Sequence, residues 1–210
     1  MLRSFLLILI LCISIASIAQ EKKQELKPES ISVFYGFGNE QNILFDDTDY
    51  LYKSKHIKVS FEYPLKDGTY HLNLAIQPQI HFLKHQLLNE QFIRPSQENF
   101  EENRIIFAQL KSMQLYALEF EINISRRIFK NLEAKAFLGF GPAYIDTKTE
   151  RLAKGFTFIE NLGVAIRCQI GKRFFIELRP HLRHTSNAGI TLPNSGYNTL
   201  NMEMGISIEL

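Results

Sequence analysis

The strongest constraint on this chain is an alternation of apolar and polar residues with a period of two. Residues 72–82 show it clearly, because the even positions are apolar and four of the odd positions are polar. Successive side chains of a β-strand point to opposite faces, so this period predicts a strand with one apolar and one polar face. The apolar set is Leu72, Leu74, Ile76, Pro78, Ile80 and Phe82, and the polar set is Asn73, Gln77, Gln79 and His81.

Eight segments alternate in this way, and the connections between them alternate in length. The segments are residues 31–38, 57–63, 72–82, 116–125, 132–144, 156–170, 174–184 and 197–210. Tight turns are expected around Asp67-Gly68, Lys130-Asn131 and Gly171-Lys172. Longer polar connections, residues 39–54, 87–111, 147–154 and 185–196, follow the odd-numbered segments. This asymmetry predicts an all-β fold, an eight-stranded antiparallel transmembrane β-barrel with its short turns on the periplasmic side.

The distribution of charge supports a membrane barrel over a soluble one. Beyond residue 20 no stretch is apolar for long enough to span a bilayer as a helix, so a membrane location requires a closed barrel. A soluble lipocalin-like barrel or β-sandwich would also alternate. Its apolar core, however, would leave charged residues such as Glu119, Glu177 and Arg179 on the outside. We expect the bulky apolar phase to face lipid and the charged phase to fill the lumen, with Glu177 paired to a neighbouring arginine.

The N-terminal residues have the pattern of a secretory signal. Arg3 precedes an apolar run over residues 5–13, and small residues end at Ala19. This pattern predicts a signal peptide over residues 1–19, an N-terminal extension over residues 20–29 and the barrel over residues 30–210. Cleavage leaves Cys168 as the single cysteine, so no intrachain disulfide is expected.

Composition narrows the classes of ligand. The formal net charge is +2, which gives no electrostatic basis for binding nucleic acid. No spacing of His, Cys, Asp or Glu predicts a metal site, and no cofactor is expected. His81, His181 and Arg183 fall in the luminal phase, where a structural polar network is the favoured interpretation. Eight strands leave an interior that side chains fill, which argues against a channel.

The end of the chain carries a motif of fixed residues at fixed spacing. His184-Thr185-Ser186-Asn187-Ala188 ends the seventh predicted strand, and Asn194-Ser195-Gly196-Tyr197-Asn198 leads into the eighth. This stretch resembles the outer-membrane lipid A 3-O-deacylase (acyloxyacyl hydrolase) family, whose signature is His-x-Ser-Asn-Ala followed by Asn-x-Gly-x-Glu. The resemblance implies a Ser-His-Glu triad without a metal: His184 as general base, Ser186 as nucleophile and Asn187 as oxyanion donor. Asn198 occupies the position of the family's glutamate.

Strand phase supports this assignment independently of the motif. His184, Ser186 and Asn198 all share the lipid-facing phase of their strands, whereas Glu203 falls in the luminal phase. Residues two apart on a strand are roughly 6.5 Å apart, a gap that an imidazole leaning toward a hydroxymethyl group can bridge. Asn198 can orient the imidazole but cannot neutralise the imidazolium that forms. Asn194 and Gly196 are expected to shape the turn, because both residue types tolerate positive φ.

Two hypotheses of function follow. The first is a serine-dependent ester hydrolase that removes an acyl chain from lipid A or a phospholipid, with its site at the extracellular rim of the bacterial outer membrane. The second is a non-catalytic barrel with a structural or adhesive role through its long loop, residues 87–111. The sequence leaves open which ester would be cut and whether the barrel forms a homodimer.

Overall fold

The structure of the protein is a computed structural model that describes residues 27–40 and 48–210. Eight strands run through it: β1 (Ser30–Glu40), β2 (Tyr50–Lys66), β3 (His71–Leu87), β4 (Lys111–Phe129), β5 (Leu132–Ile145), β6 (Gly155–Gln169), β7 (Phe174–Ser186) and β8 (Tyr197–Glu209). The predicted signal peptide, residues 1–19, lies outside the described residues and stays a prediction.

The strands close into a single barrel in the order in which they occur in the chain. Every neighbouring pair is antiparallel, and β1 pairs with β8 to complete the circle. The predicted fold class, an eight-stranded antiparallel transmembrane β-barrel, is confirmed. The strands contain between 11 and 19 residues, whereas about 9–11 residues are enough to cross a bilayer. The barrel is therefore taller than the hydrocarbon layer alone requires.

The connections differ in length at the two ends, as the sequence predicts. The turns after β2, β4 and β6 are short, and the connections after β3, β5 and β7 are longer. We call the end with the longer connections the loop end. The β3–β4 connection contains a 3-10 helix (Glu90–Phe92) and a helix α1 (Phe100–Phe107), which the sequence analysis did not predict. Among residues 27–40 and 48–210, no helix is long and apolar enough to span a membrane.

The two faces of the barrel wall have opposite character. Large apolar side chains are exposed on the outside of the strands, including Val33, Phe37, Leu138, Leu162, Val164 and Ile206. Charged and polar side chains are buried inside, including Lys58, Glu119, Glu121, Lys135, Arg179 and Glu203. This arrangement is that of a protein whose exterior faces lipid, because a water-soluble barrel would bury its apolar face. The predicted phases are confirmed.

The luminal charges form a connected network of ion pairs. Arg179 contacts Glu121, lies 3.1 Å from Glu177 and lies 3.2 Å from Glu203. Lys58 Nζ lies 2.8 Å from Glu203. Each buried carboxylate in this cluster therefore has a cationic partner, which offsets much of the desolvation cost of burying it. The expected pairing of Glu177 with an arginine is confirmed, with Arg179 as the partner.

An apolar cluster fills the lumen at the loop end. Its members are Tyr50, Tyr52, Leu83, Met113, Leu115, Ala143, Ile145, Leu152, Ile159 and Tyr197. Tyr197 stacks on Tyr52 with ring centroids 4.4 Å apart. Because Tyr197 directly precedes Asn198, this packing anchors the start of β8 and fixes which side chains point outward there.

Candidate active site

Three polar residues lie side by side on the outer wall, one on each of three adjacent strands. Glu160 of β6 is the register partner of His184 of β7, and His184 is the register partner of Asn198 of β8. His184 Nδ1 and Asn198 Oδ1 are 2.7 Å apart. An amide oxygen only accepts hydrogen bonds, so Nδ1 carries the proton and donates it. In the neutral imidazole this tautomer leaves Nε2 free to accept a proton, which is the form a general base requires.

Ser186 lies two residues beyond His184, in the same outward phase, as the last residue of β7. Thr157 of β6 donates a hydrogen bond from Oγ1 to the Ser186 carbonyl oxygen at 2.7 Å, which holds the strand end in place. Within the part of the chain that the structure describes, no hydrogen bond joins the Ser186 hydroxyl to His184. Direct proton transfer between them requires Ser186 Oγ and His184 Nε2 to come within hydrogen-bond distance.

Gly196 borders the space between these two residues. A Cβ atom added at Gly196 would lie 2.7 Å from the Thr185 carbonyl oxygen, 3.1 Å from His184 Cε1 and 3.4 Å from Ser186 Cβ. The φ of Gly196 is +71°, which side chains with a Cβ rarely adopt. Gly196 thus keeps the imidazole and the serine uncovered as well as shaping the turn, and its predicted positive φ is confirmed.

Asn194 was expected to shape the turn through a positive φ, and this expectation is wrong. Asn194 does not have a positive φ; the non-glycine residue of this loop that does is Ala188, at 54°. Asn194 acts through its side chain instead, because its Oδ1 accepts a 2.7 Å hydrogen bond from the Asn187 backbone. A side-chain acceptor stabilises the loop without requiring a strained backbone at that position.

Asn187 is fully buried and its side chain is engaged within the loop. Its Nδ2 donates to the Thr191 carbonyl at 2.7 Å and to Thr191 Oγ1 at 3.1 Å, and its Oδ1 accepts from Gly189 N at 3.0 Å. The role of Asn187 as an oxyanion donor stays a prediction. It requires the amide to exchange Thr191 for the substrate oxygen.

The β5–β6 connection clamps the loop that precedes Asn198. The Arg151 carbonyl accepts hydrogen bonds from Ser195 N at 2.7 Å and Gly196 N at 3.1 Å, and Arg151 Nε donates to Gly196 O at 2.9 Å. Leu152 forms a β-bridge with Asn194. These contacts position Gly196 and Asn198 from a segment more than 40 residues away in sequence. The sequence pattern does not predict these contacts, because they join two loops.

Glu160 was missed by the sequence analysis, although a signal for it existed. It is the one charged residue in the apolar phase of β6, where its neighbours are Phe156, Phe158, Leu162, Val164 and Ile166. Its side chain is exposed on the outer wall. A depression of about 230 Å³ is lined by Glu160, His184 and Asn198 together with the leucines at 138, 162 and 182.

Beneath the polar residues lies a row of four leucines, Leu138, Leu162, Leu182 and Leu200, which are register partners on β5 to β8. The three polar residues therefore border a continuous apolar surface on the outer wall. A long acyl chain can contact the leucines while its ester group reaches His184, since the two rows are neighbours on the same face.

Two other places in the molecule differ in kind from the cluster of Glu160, His184 and Asn198. Glu203 is fully buried in the lumen, where its Oε1 lies 2.7 Å from His56 Nε2, so it is separated from His184 by the barrel wall. A cavity of about 680 Å³ lies among the connections at the loop end, and its lining does not include His184, Ser186 or Asn198. No group of three or more His, Cys, Asp or Glu residues in the described ranges could hold a metal ion.

Comparison with known proteins points to one family. The family model for lipid A 3-O-deacylase (PagL) matches residues 110–207. Among solved structures, the outer membrane enzyme PagL is similar at a TM-score of 0.56 and 11% identity, over 86% of this chain and 99% of that one. Neisserial surface protein A is similar at a TM-score of 0.46 and 12% identity, over 86% and 96% of the two chains. No curated protein sequence matches significantly.

At 11% identity, the likeness to the PagL structure establishes the shared barrel fold and nothing finer. The family model is more specific, because the matched residues run from the start of β4 into β8 and include His184, Ser186 and Asn198. The recognition of the lipid A 3-O-deacylase (PagL) family, made above from the sequence around His184 and Ser186, is confirmed over this part of the chain.

Proposed function

We propose that this protein is a serine-dependent hydrolase that removes an ester-linked acyl chain from an outer-membrane lipid, with lipid A as its substrate. The observation that carries the proposal is the 2.7 Å contact between His184 Nδ1 and Asn198 Oδ1 on the outer wall. It orients the imidazole in the tautomer that can accept a proton from Ser186. The family model supports the choice of lipid A over other acylated lipids.

The reaction proceeds in two halves. In the first, Ser186 Oγ attacks the ester carbonyl carbon while its proton passes to His184 Nε2. The tetrahedral intermediate then collapses, the bond to the sugar oxygen breaks, and that oxygen takes the proton from Nε2. In the second half, water attacks the acyl-serine with His184 again as base, which releases the fatty acid and restores Ser186.

The location of the site fits a substrate that is itself part of the membrane. His184, Ser186 and Asn198 face outward, so a lipid reaches them by lateral movement along the wall and need not enter the lumen. If the loop end is extracellular, as the short-turn rule predicts, the site lies at the extracellular rim beside the outer leaflet. Lipid A is the acylated lipid that such a position would serve.

The test uses the full chain, refolded or purified from outer membranes in detergent and mixed with lipid A. We expect a fatty acid to be released, and mass spectrometry identifies both products. We expect the folded barrel to migrate anomalously on gels until it is heated. Ser195→Ala is the matched control, because Ser195 is an exposed serine of the neighbouring loop. Ser195→Ala should retain wild-type release, whereas Ser186→Ala should lose it. Recovery of the protein as a soluble periplasmic species would contradict the proposal.

A second candidate function is a non-catalytic barrel that binds a partner through the β3–β4 connection. The observation in its favour is the exposure of apolar residues there, with Ile105 67% and Leu110 57% exposed. An exposed apolar surface of this kind is typical of contact sites. Absence of fatty-acid release from folded wild-type protein, with lipid A and with phospholipid, would favour this function.

A further inference from the structure

We propose that Glu160 supplies the negative charge that Asn198 lacks, and that it acts through His184 as a positioning residue. The inference rests on the proposed function above. In the family pattern one glutamate would both orient the base and balance its charge. Here the geometry points to a division of those two tasks between the strands on either side of β7.

The first support is the register of the three strands. Glu160 and His184 are directly opposite on β6 and β7, and His184 and Asn198 are directly opposite on β7 and β8. Side chains of opposite residues on one face have Cβ atoms about 4.5–5.5 Å apart. His184 thus lies between a glutamate on one neighbouring strand and an asparagine on the other. All three line the same depression.

The second support is the isolation of Glu160 on the wall. On the outward faces of β5 to β8, which the structure describes in full, it is the one charged residue. No lysine, arginine or histidine within the described ranges forms an ion pair with it, in contrast to the luminal glutamates. An unpaired carboxylate on a lipid-facing wall costs stability. A structural salt bridge therefore does not explain its presence, and its register partner on β7 is the proposed base.

The third support is the chemistry of the step. When Ser186 gives its proton to Nε2, His184 becomes an imidazolium. Asn198 continues to accept the hydrogen bond from Nδ1 but brings no charge. A carboxylate in the adjacent register position attracts the imidazolium more strongly than the neutral imidazole. Glu160 thus stabilises the transition state relative to the ground state, which raises kcat and leaves substrate binding nearly unchanged.

The experiment measures kcat and KM for fatty-acid release from lipid A by wild type and five variants: Glu160→Gln, Glu160→Asp, Glu101→Gln, Asn198→Glu, and Asn198→Glu combined with Glu160→Gln. We expect Glu160→Gln to lower kcat about tenfold, equivalent to about 1.4 kcal/mol, with KM changed by less than about twofold. Glu160→Asp should retain more activity than Glu160→Gln, because it keeps the charge. Glu101→Gln, which removes a carboxylate from α1, is the matched control and should behave as wild type.

The decisive variant carries Asn198→Glu and Glu160→Gln together. If Glu160 provides the charge for His184, a glutamate at position 198 replaces it, and Glu160→Gln then lowers kcat by less than about twofold in that background. A full tenfold loss in that background would overturn the inference. So would a Glu160→Gln variant that keeps the wild-type kcat, whether or not its KM changes. These outcomes leave the proposed function intact. Wild-type protein that releases no fatty acid would overturn both.

Discussion

The inside and the outside of the barrel wall use the same residue types in opposite ways. In the lumen, Glu203 contacts His56, Lys58 and Arg179, so its charge is balanced several times over. On the outer wall, the partner of His184 is the uncharged amide of Asn198, and Glu160 forms no ion pair with any residue of the described ranges. A saturated network resists change in protonation, because any proton gained or lost leaves a buried charge uncompensated. Among the described residues, His184 on the outer wall belongs to no such network of ion pairs.

The inner face of the wall therefore contributes to the stability of the barrel, and the outer face carries the proposed chemistry. Luminal residues of one strand alternate with outer residues of the same strand, so Arg183 and His184 are adjacent in sequence but face opposite sides. Arg183 Nη1 lies 3.0 Å from His81 Nδ1 within the network. We expect mutations on the inner face to change the free energy of unfolding and mutations on the outer face to change turnover.

The largest effect is expected at the reactive pair. Ser186→Ala and His184→Ala should each lower the rate of ester hydrolysis by at least about a thousandfold, because one removes the nucleophile and the other its base. Both variants should still show heat-dependent gel migration and unfold at the wild-type urea concentration. Near-normal turnover by either variant would show that the pair is wrongly assigned and that the outer wall is no more reactive than the lumen.

The converse effect is expected in the lumen. Arg179→Met leaves Glu121, Glu177 and Glu203 without a shared cation, and breaking a buried pair costs about 3–5 kcal/mol. Urea unfolding in detergent should show this loss, while the folded fraction should keep kcat within about twofold of wild type. A large drop in kcat of the folded protein would mean that the two faces are coupled through the wall.

The sequence predicted the strand faces well, because a period of two is a local property of each segment. The eight strands, the outward phase of His184, Ser186 and Asn198 and the luminal phase of Glu203 could all be read from alternation. Contacts between loops could not. The clamp by Arg151, the burial of Asn187 and the helix α1 depend on segments that meet only after the barrel has closed. Glu160 could have been found as the single charge in the apolar phase of β6.

A smaller effect is expected at Gly196, where the outer site meets the clamped loop. Gly196→Ala places a Cβ 2.7 Å from the Thr185 carbonyl oxygen and 3.1 Å from His184 Cε1, and it forces alanine into a φ of +71°. We expect kcat to fall by about thirtyfold, with a loss of about 1 kcal/mol in the free energy of unfolding. Gly189→Ala is the matched control, because Gly189 has a φ of +77° and open space around its Cβ. It should show the strain without the loss of kcat.

The smallest effect is expected at Asn198, which orients the base through a neutral hydrogen bond. Such a bond contributes about 0.5–1.5 kcal/mol, so Asn198→Ala should lower kcat by about two- to tenfold. Asn198→Glu should raise kcat modestly, because a charge-assisted hydrogen bond is stronger than a neutral one. The gain is limited by the cost of a carboxylate beside lipid and by the charge of Glu160 across β7. The expected order in kcat is therefore Glu above Asn above Ala. If Asn198→Ala keeps full activity while Glu203→Ala loses it in folded protein, the acid of the site lies in the lumen and the division between the two faces fails.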